Sequence, residues 1–357
     1  MKRMNAVGAL MGAAVCVGSA CAVAVEQTDE WAWHDAGAFL CGKGFARTTH
    51  PYGRLDPADT NRLTSGVRWH GLDSAGLCLR FRTDSRRLAI QWQVMKKYEF
   101  GNMNRFANGG IDVYRRTADG WHFVGAKGGV HGKTNELAVA WRPGDEALVY
   151  LPLYNGAVDV RVGLRPGARA EACGERGKPV VFYGTSITQG GCASRPGMAY
   201  TAILQRRLDV PVVNMGFSGA GCMEVEMAET LAKIDAAAYV VDTMWNIGVS
   251  TVRQGTYERF VRRLRAQRPD VPILLVNDYR FDRHGTQTEK GAATEALFAR
   301  LRAESAFAKG FALVDGSDLY DGEGNGTVDG THPDSIGMQR LADVIGPRLA
   351  PLLHTAR

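Results

Sequence analysis

Ser186 lies three residues beyond Tyr183 in the run Tyr183-Gly184-Thr185-Ser186-Ile187-Thr188-Gln189-Gly190-Gly191, just after an apolar segment that begins at Val180. A turn of small residues following a buried strand lifts a hydroxyl to the sheet's edge and leaves its backbone N–H free to face a bound oxygen. Towards the other end of the chain, Asp329-Gly330-Thr331-His332-Pro333 places a carboxylate three residues before an imidazole. That spacing lets Asp329 brace and orient His332, the arrangement a general base facing a serine needs. A lone serine in a loop is ordinarily a turn or cap residue, so the other loops decide the matter.

Two of those loops carry matching chemistry. The run Gly216-Phe217-Ser218-Gly219-Ala220-Gly221 departs from the Rossmann order of glycines, so the N–H of Gly219 fits better as a second donor to an oxyanion than as part of a dinucleotide cradle. Asp242-Thr243-Met244-Trp245-Asn246 brings an amide side chain to the loop after the next apolar strand. Two rival constellations exist. Asp321, Glu323, Asn325, Gly326, Thr327, Asp329 and His332 fall at calcium-loop positions, but the closing bidentate Glu is missing and no helix ends before Asp321. His284 follows a strand and reads as a solvated loop residue.

The elements that must position these residues divide at about residue 172. From Asp29 to Arg169 the chain offers short alternating runs at 77–82, 88–94, 111–114, 148–153 and 158–164, a period-two pattern suited to two sheets packed as a sandwich. Beyond Pro179, apolar strands at 180–183, 210–215, 239–243, 273–277 and 312–315 alternate with helical stretches at 199–208, 224–234, 257–267, 289–308 and 336–349. Five such units predict a parallel sheet covered on both faces, with chemistry at the carboxyl ends of its strands. The expected organisation is a signal segment over 1–24, a β-sandwich-like domain over 25–172 and an α/β hydrolase domain over 173–357.

The four blocks, in this order and each after its own strand, resemble the SGNH branch of the GDSL-type hydrolases. Gly190-Gly191-Cys192-Ala193-Ser194-Arg195-Pro196-Gly197 is similar to the bacterial two-domain subgroup, whose β-rich first domain carries a G-x-D-L-Y signature; here Gly110-Ile111-Asp112-Val113-Tyr114 has Val113 in place of Leu. The resemblance implies a flavodoxin-like α/β/α domain and acyl transfer to water. In it Ser186 is the nucleophile, His332 the base held by Asp329, and Gly219 and Asn246 complete the oxyanion site. No metal or organic cofactor is required. Trp245 stands where a proline is expected; it could stack on a sugar or belong to the core. Arg195 could contact a polar substrate group or brace its loop. By analogy of fold, the substrate is an O-acetylated carbohydrate, with a lipid or small ester, or a non-catalytic glycan-binding role, as alternatives.

Composition fits this class and excludes others. The 357 residues are 45% hydrophobic and 22% charged, which rules out a disordered chain, a collagen or a multi-span membrane protein. A net charge of +6 is too small for a nucleic-acid partner without a basic stripe, and Arg262, Arg263, Arg265 and Arg268 read as a solvated helix face. Lys2 and Arg3 precede an uncharged stretch ending in Ala22-Val23-Ala24, which predicts export with cleavage after Ala24 and no membrane span thereafter; a lipoprotein would use Cys21, against which Gly18 counts. Of the five remaining cysteines, Cys192 and Cys222 flank active-site blocks and could bridge, although two separate small buried residues are the commoner outcome.

Overall fold

The computed structural model describes residues 31–97, 100–279, 287–319, 323 and 325–354. Expectations falling on the signal segment, Cys21, His284 and Asp321 lie outside the described residues. Among the described residues ten strands precede residue 173: β1 Ala32–Asp35, β2 Leu40–Cys41, β3 Cys78–Thr83, β4 Arg87–Val94, β5 Ile111–Thr117, β6 Gly120–Lys127, β7 Asn135–Ala140, β8 Glu146–Tyr150, β9 Ala157–Leu164 and β10 Ala170–Ala172. They pair antiparallel in two sheets, one in the order β1-β9-β4-β7 and the other β10-β3-β8-β5-β6 with β2 also on β3.

Alternation along these strands explains both faces of the second sheet. Leu79 and Phe81 of β3, Val113 of β5, and Ala147 and Val149 of β8 pack against Leu88, Ile90, Trp92, Val162 and Leu164 of the first sheet. Their neighbours Cys78, Tyr114, Leu148 and Tyr150 point the other way, into a cluster shared with Tyr200, Ile203 and Leu204 of the second half. A sheet buried on both faces loses the polar half of the period-two pattern, and β8 is buried at every position. Each large side chain so buried is worth about 1.5–3 kcal/mol, so the shared cluster binds the halves firmly. Residues 31–357 accordingly form one compact unit.

The second half is an α/β/α layer structure. Strands β11 Val180–Gly184, β12 Val212–Gly216, β13 Ala238–Asp242, β14 Ile273–Val276 and β15 Phe311–Val314 form a parallel sheet in the order β12-β11-β13-β14-β15, the flavodoxin-like arrangement. One face, with Val180, Phe182, Val240 and Leu274, is covered by residues of the helices Tyr200–Leu208 and Ser335–His354. The other, with Val181, Tyr183, Val241 and Leu275, is covered by residues of Val225–Ala232, Thr256–Gln267 and Glu289–Arg302. Chain order reverses beside β11, so the loops after β11, β12 and β13 meet at a switch point where such sheets bind ligands.

Three features differ from the sequence reading. Strands β6 and β7 are half-exposed and lack a clean alternation, and the seven-residue helix Ser65–Gly71 is too short to show a period. The stretch expected to be helical to 308 stops at Arg302, and only a short turn, Ser305–Phe307, follows. Of the four arginines read as a solvated face, Arg263 is exposed, but Arg265 is buried and donates to the Pro269 carbonyl; Arg262 pairs with Glu258 and Glu304, and Arg268, just past the helix Thr256–Gln267, donates to the Ala232 carbonyl.

Candidate active site

Gly184 ends β11 where no side chain fits, because a Cβ there would lie 2.0 Å from Thr188 Oγ1 and 2.3 Å from the carbonyl of Asp242. The chain turns directly into the short helix Ser186–Gln189, capped by Thr185, whose hydroxyl accepts from the Ile187 N–H, and closed by Gly190 at φ 109°. Ser186 therefore emerges at the rim of the sheet, yet only 6% exposed. Beneath it, Thr188 and Tyr200 donate hydroxyl hydrogen bonds to the buried carboxylate of Asp242, at 2.9 and 2.8 Å.

The structure brings the distant Asp329 and His332 to this serine. Ser186 Oγ lies 2.9 Å from His332 Nε2, and His332 Nδ1 lies 2.8 Å from Asp329 Oδ2. The other carboxylate oxygen, Oδ1, accepts from the backbone N–H groups of His332 at 2.7 Å and Thr331 at 3.0 Å. Partial burial pushes the Asp329 carboxyl up, but the hydrogen bonds from His332 and Thr331 outweigh it and hold the group below the usual carboxylate range. A carboxylate with its lone pairs engaged this way is a poor calcium ligand. Among the described residues, no group of three or more His, Cys, Asp or Glu is arranged to hold a metal.

Gly219 and Asn246 come to the same rim. Gly219 sits after β12 at φ 65°, a left-handed conformation that suits glycine, and its N–H has no protein acceptor among the described residues. Asn246 closes the turn after β13, and its amide donates long hydrogen bonds to the carbonyls of Phe217 and Gly221, at 3.5 and 3.4 Å, on the loop that holds Gly219. Arg54, fully buried, donates to the carbonyls of Asn214 and Gly216 and stacks on Phe217. Gln189 accepts from the Ser218 N–H and donates to Asp73. These two side chains tie the loop after β12 to the β-rich half.

The remaining candidates are structural neighbours of the rim. Arg195 faces the first half: its Nε lies 3.1 Å from Asp112, Nη2 donates to the Tyr114 hydroxyl at 3.1 Å, and the guanidinium stacks on Phe123. Asp112 also accepts from the Gly197 N–H. Trp245 packs near Tyr279, with Lys290 over its ring. Cys192 and Cys222 are free thiols, as are the other three cysteines among the described residues, so no bridge joins the two loops. Cys222 Sγ instead lies 3.9 Å from the carbonyls of Gly219 and Asn246.

Sequence reasoning missed three residues of the first half. Asn102 Nδ2 donates to Asp329 Oδ2 at 2.5 Å, Phe100 meets the His332 ring edge on with centroids 5.6 Å apart, and the Tyr154 hydroxyl donates to the Ser186 carbonyl at 3.3 Å. None has a local spacing signal.

With this geometry in view, comparison with known proteins is decisive. The profile of the GDSL-like lipase/acylhydrolase family matches residues 177–350, and that of the GxDLY N-terminus of SGNH-type esterases matches 31–170. A protein from Bacteroides ovatus ATCC 8483, solved as a GDSL-like lipase, shares 30% identity over 91% of this chain and 98% of its own, with a TM-score of 0.79. The chain belongs to the GDSL-like, SGNH-type hydrolases with a GxDLY N-terminal domain. Two more distant structures share the fold of this hydrolase. One is the salicylyl-acyltransferase SsfX3 from a tetracycline biosynthetic pathway, at 18% identity and TM-score 0.72, covering 90% of this chain and 97% of that one. The other is a family two carbohydrate esterase from Cellvibrio japonicus, at 13% and 0.58, covering 92% and 99%. Among curated proteins, none matches.

Proposed function

We propose that this hydrolase is an exported serine esterase that removes O-acetyl groups from a carbohydrate. The observation that carries the catalytic part is the continuous line from Ser186 Oγ through the imidazole of His332 to Asp329, with contacts of 2.9 and 2.8 Å. His332 takes the hydroxyl proton as Ser186 attacks the ester carbonyl, and Asp329 holds the ring in the tautomer that leaves Nε2 free to accept. The N–H groups of Ser186 and Gly219 and the Asn246 amide stabilise the oxyanion, each such donor being worth about 3 kcal/mol. The alcohol leaves with the proton from His332. Water then attacks the acetyl-enzyme with the same residue as base.

Support for a carbohydrate substrate is of a coarser kind: the fold is shared with a family two carbohydrate esterase, and the site lies between a hydrolase half and a β-sandwich half. Support for export is the charged start, uncharged stretch and Ala-x-Ala end of residues 1–24. No described helix is long and apolar enough to cross a membrane. The test is an acetate-release screen over acetylated plant, microbial and host glycans, run beside nitrophenyl acetate and octanoate. Acetate release dependent on Ser186 is the expected result; faster turnover of the octanoyl ester moves the assignment to lipids.

A further inference from the structure

A cavity of about 280 Å3 opens in the β-rich half beside the Ser186, His332 and Asp329 line. Phe100 belongs to both: its ring lines the cavity and also meets His332 at 82°. Gly101 lines it as well, and the residue after it, Asn102, is the one that donates to Asp329. The cavity is thus one aromatic side chain away from the reacting groups.

Its floor is built and its rim is charged. Asn155 donates to Asn108 at 2.6 Å and accepts from the Lys96 N–H, and both amides are buried. Lys97, Arg105 and His131 stand exposed around the opening, and among the described residues no Asp or Glu lines it. No described carboxylate pairs with Lys97 or Arg105. Lys96 differs, because its ammonium is committed to Asp73 and to the face of Trp69.

Uncompensated cations around a concave surface with low-dielectric walls concentrate positive potential at its mouth. A guanidinium presents paired N–H donors that match the oxygens of a carboxylate or sulfate. The volume is near the lower end of ligand cavities, about 300 Å3, which suits one monosaccharide-sized group rather than a long acyl chain. We propose that this cavity is the subsite for an anionic sugar residue, carboxylate- or sulfate-bearing, on the alcohol side of the ester. The inference rests on the ester-hydrolase reading of Ser186, and narrows its substrate to acidic glycans.

The test separates binding from catalysis. Binding of oligogalacturonide, sulfated galactan oligosaccharide and neutral xylo-oligosaccharide to the Ser186→Ala protein is measured by calorimetry at low salt. At least one anionic ligand should bind tenfold or more tightly than the neutral one, and which of the two does so identifies the group recognised. That preference should shrink in 0.5 M salt. It should fall to within about twofold in the Ser186→Ala protein that also carries Lys97→Ala and Arg105→Ala, with Lys97→Glu and Arg105→Glu reversing it. Because the readout is a ratio between ligands, partial misfolding of a variant cancels. Equal binding of all three, or a preference unmoved by the substitutions, overturns the proposal. Failure of the wild type on nitrophenyl acetate would instead count against the esterase reading.

Discussion

Asn102, in the GxDLY half of this hydrolase, donates a 2.5 Å hydrogen bond to Asp329 Oδ2, the same oxygen that faces His332 Nδ1. The first half therefore reaches the carboxylate that orients the proposed base. With Thr331 and His332 N–H groups on Oδ1, Asp329 is held at both oxygens, and the imidazole inherits that fixed geometry.

Asn102→Ala should lower kcat by about three- to tenfold with little change in KM. A hydrogen bond to a charged group is worth about 1.5–3 kcal/mol, and partial exposure here reduces that. Asn102→Asp places a second carboxylate beside Asp329, which favours a protonated imidazole, so the acid limb of the kcat/KM profile should move to higher pH. A purely structural role would leave that limb in place. Steady-state kinetics across pH 5–9 on both variants decide between the two.

Ser186→Ala should retain the wild-type melting temperature within a few degrees and lose activity by about 10⁴-fold or more, since the other hydroxyls of the turn after β11 are engaged elsewhere, Thr185 with the Ile187 N–H and Thr188 with Asp242, and only that of Ser186 faces His332. An organophosphonate should add its mass to the peptide carrying Ser186. Labelling at any other serine would reject the nucleophile assignment.

The parts of this architecture that the sequence made legible are those encoded within a few residues. The parallel strands show because apolar runs such as Val180–Tyr183 are fully buried, and the rim residues show because Gly184, Gly219 and the Asp329 to His332 spacing are short-range requirements of turns. The contributions of Phe100, Asn102 and Tyr154 leave no such trace: Asn102 and Asp329 are 227 positions apart, and the hydrogen bond between them exists only because two loops meet. Arg195 is intermediate. Its type permitted both a substrate contact and a brace, and only the alternation that turns Asp112 and Tyr114 towards the second half engages its guanidinium with them.

Asp112 makes that contact sensitive to pH. Full burial pushes its carboxyl up to about 7 from 3.8, against the opposing pull of Arg195 and Arg206. An acid whose pKa is raised by folding binds its proton more tightly in the native state, so its contribution to stability is largest below about pH 4 and is lost as pH rises to about 7. Asp112→Asn cannot ionise. Its melting temperature should therefore gain on that of the wild type between pH 4 and pH 7, whatever the absolute cost of losing the ion pair with Arg195. Parallel melting curves at half-unit steps would show this, and a constant difference would mean that Asp112 stays ionised throughout.

The thiols beside the proposed oxyanion loop should be inert in the folded protein. Burial pushes Cys192 up to about 12, with the nearby Asp329 adding to it, and burial with Glu224 pushes Cys222 up to about 11. Since the thiolate is the reactive form, roughly one part in a thousand or less is available at pH 8. Cys192 also sits at φ 69° and is only 6% exposed. Iodoacetamide at pH 8 should leave both residues unlabelled in native protein and label both in guanidinium without any reductant. Recovery of a linked peptide containing both residues from unreduced protein would show instead that the loops are joined covalently, against the free thiols of this structure.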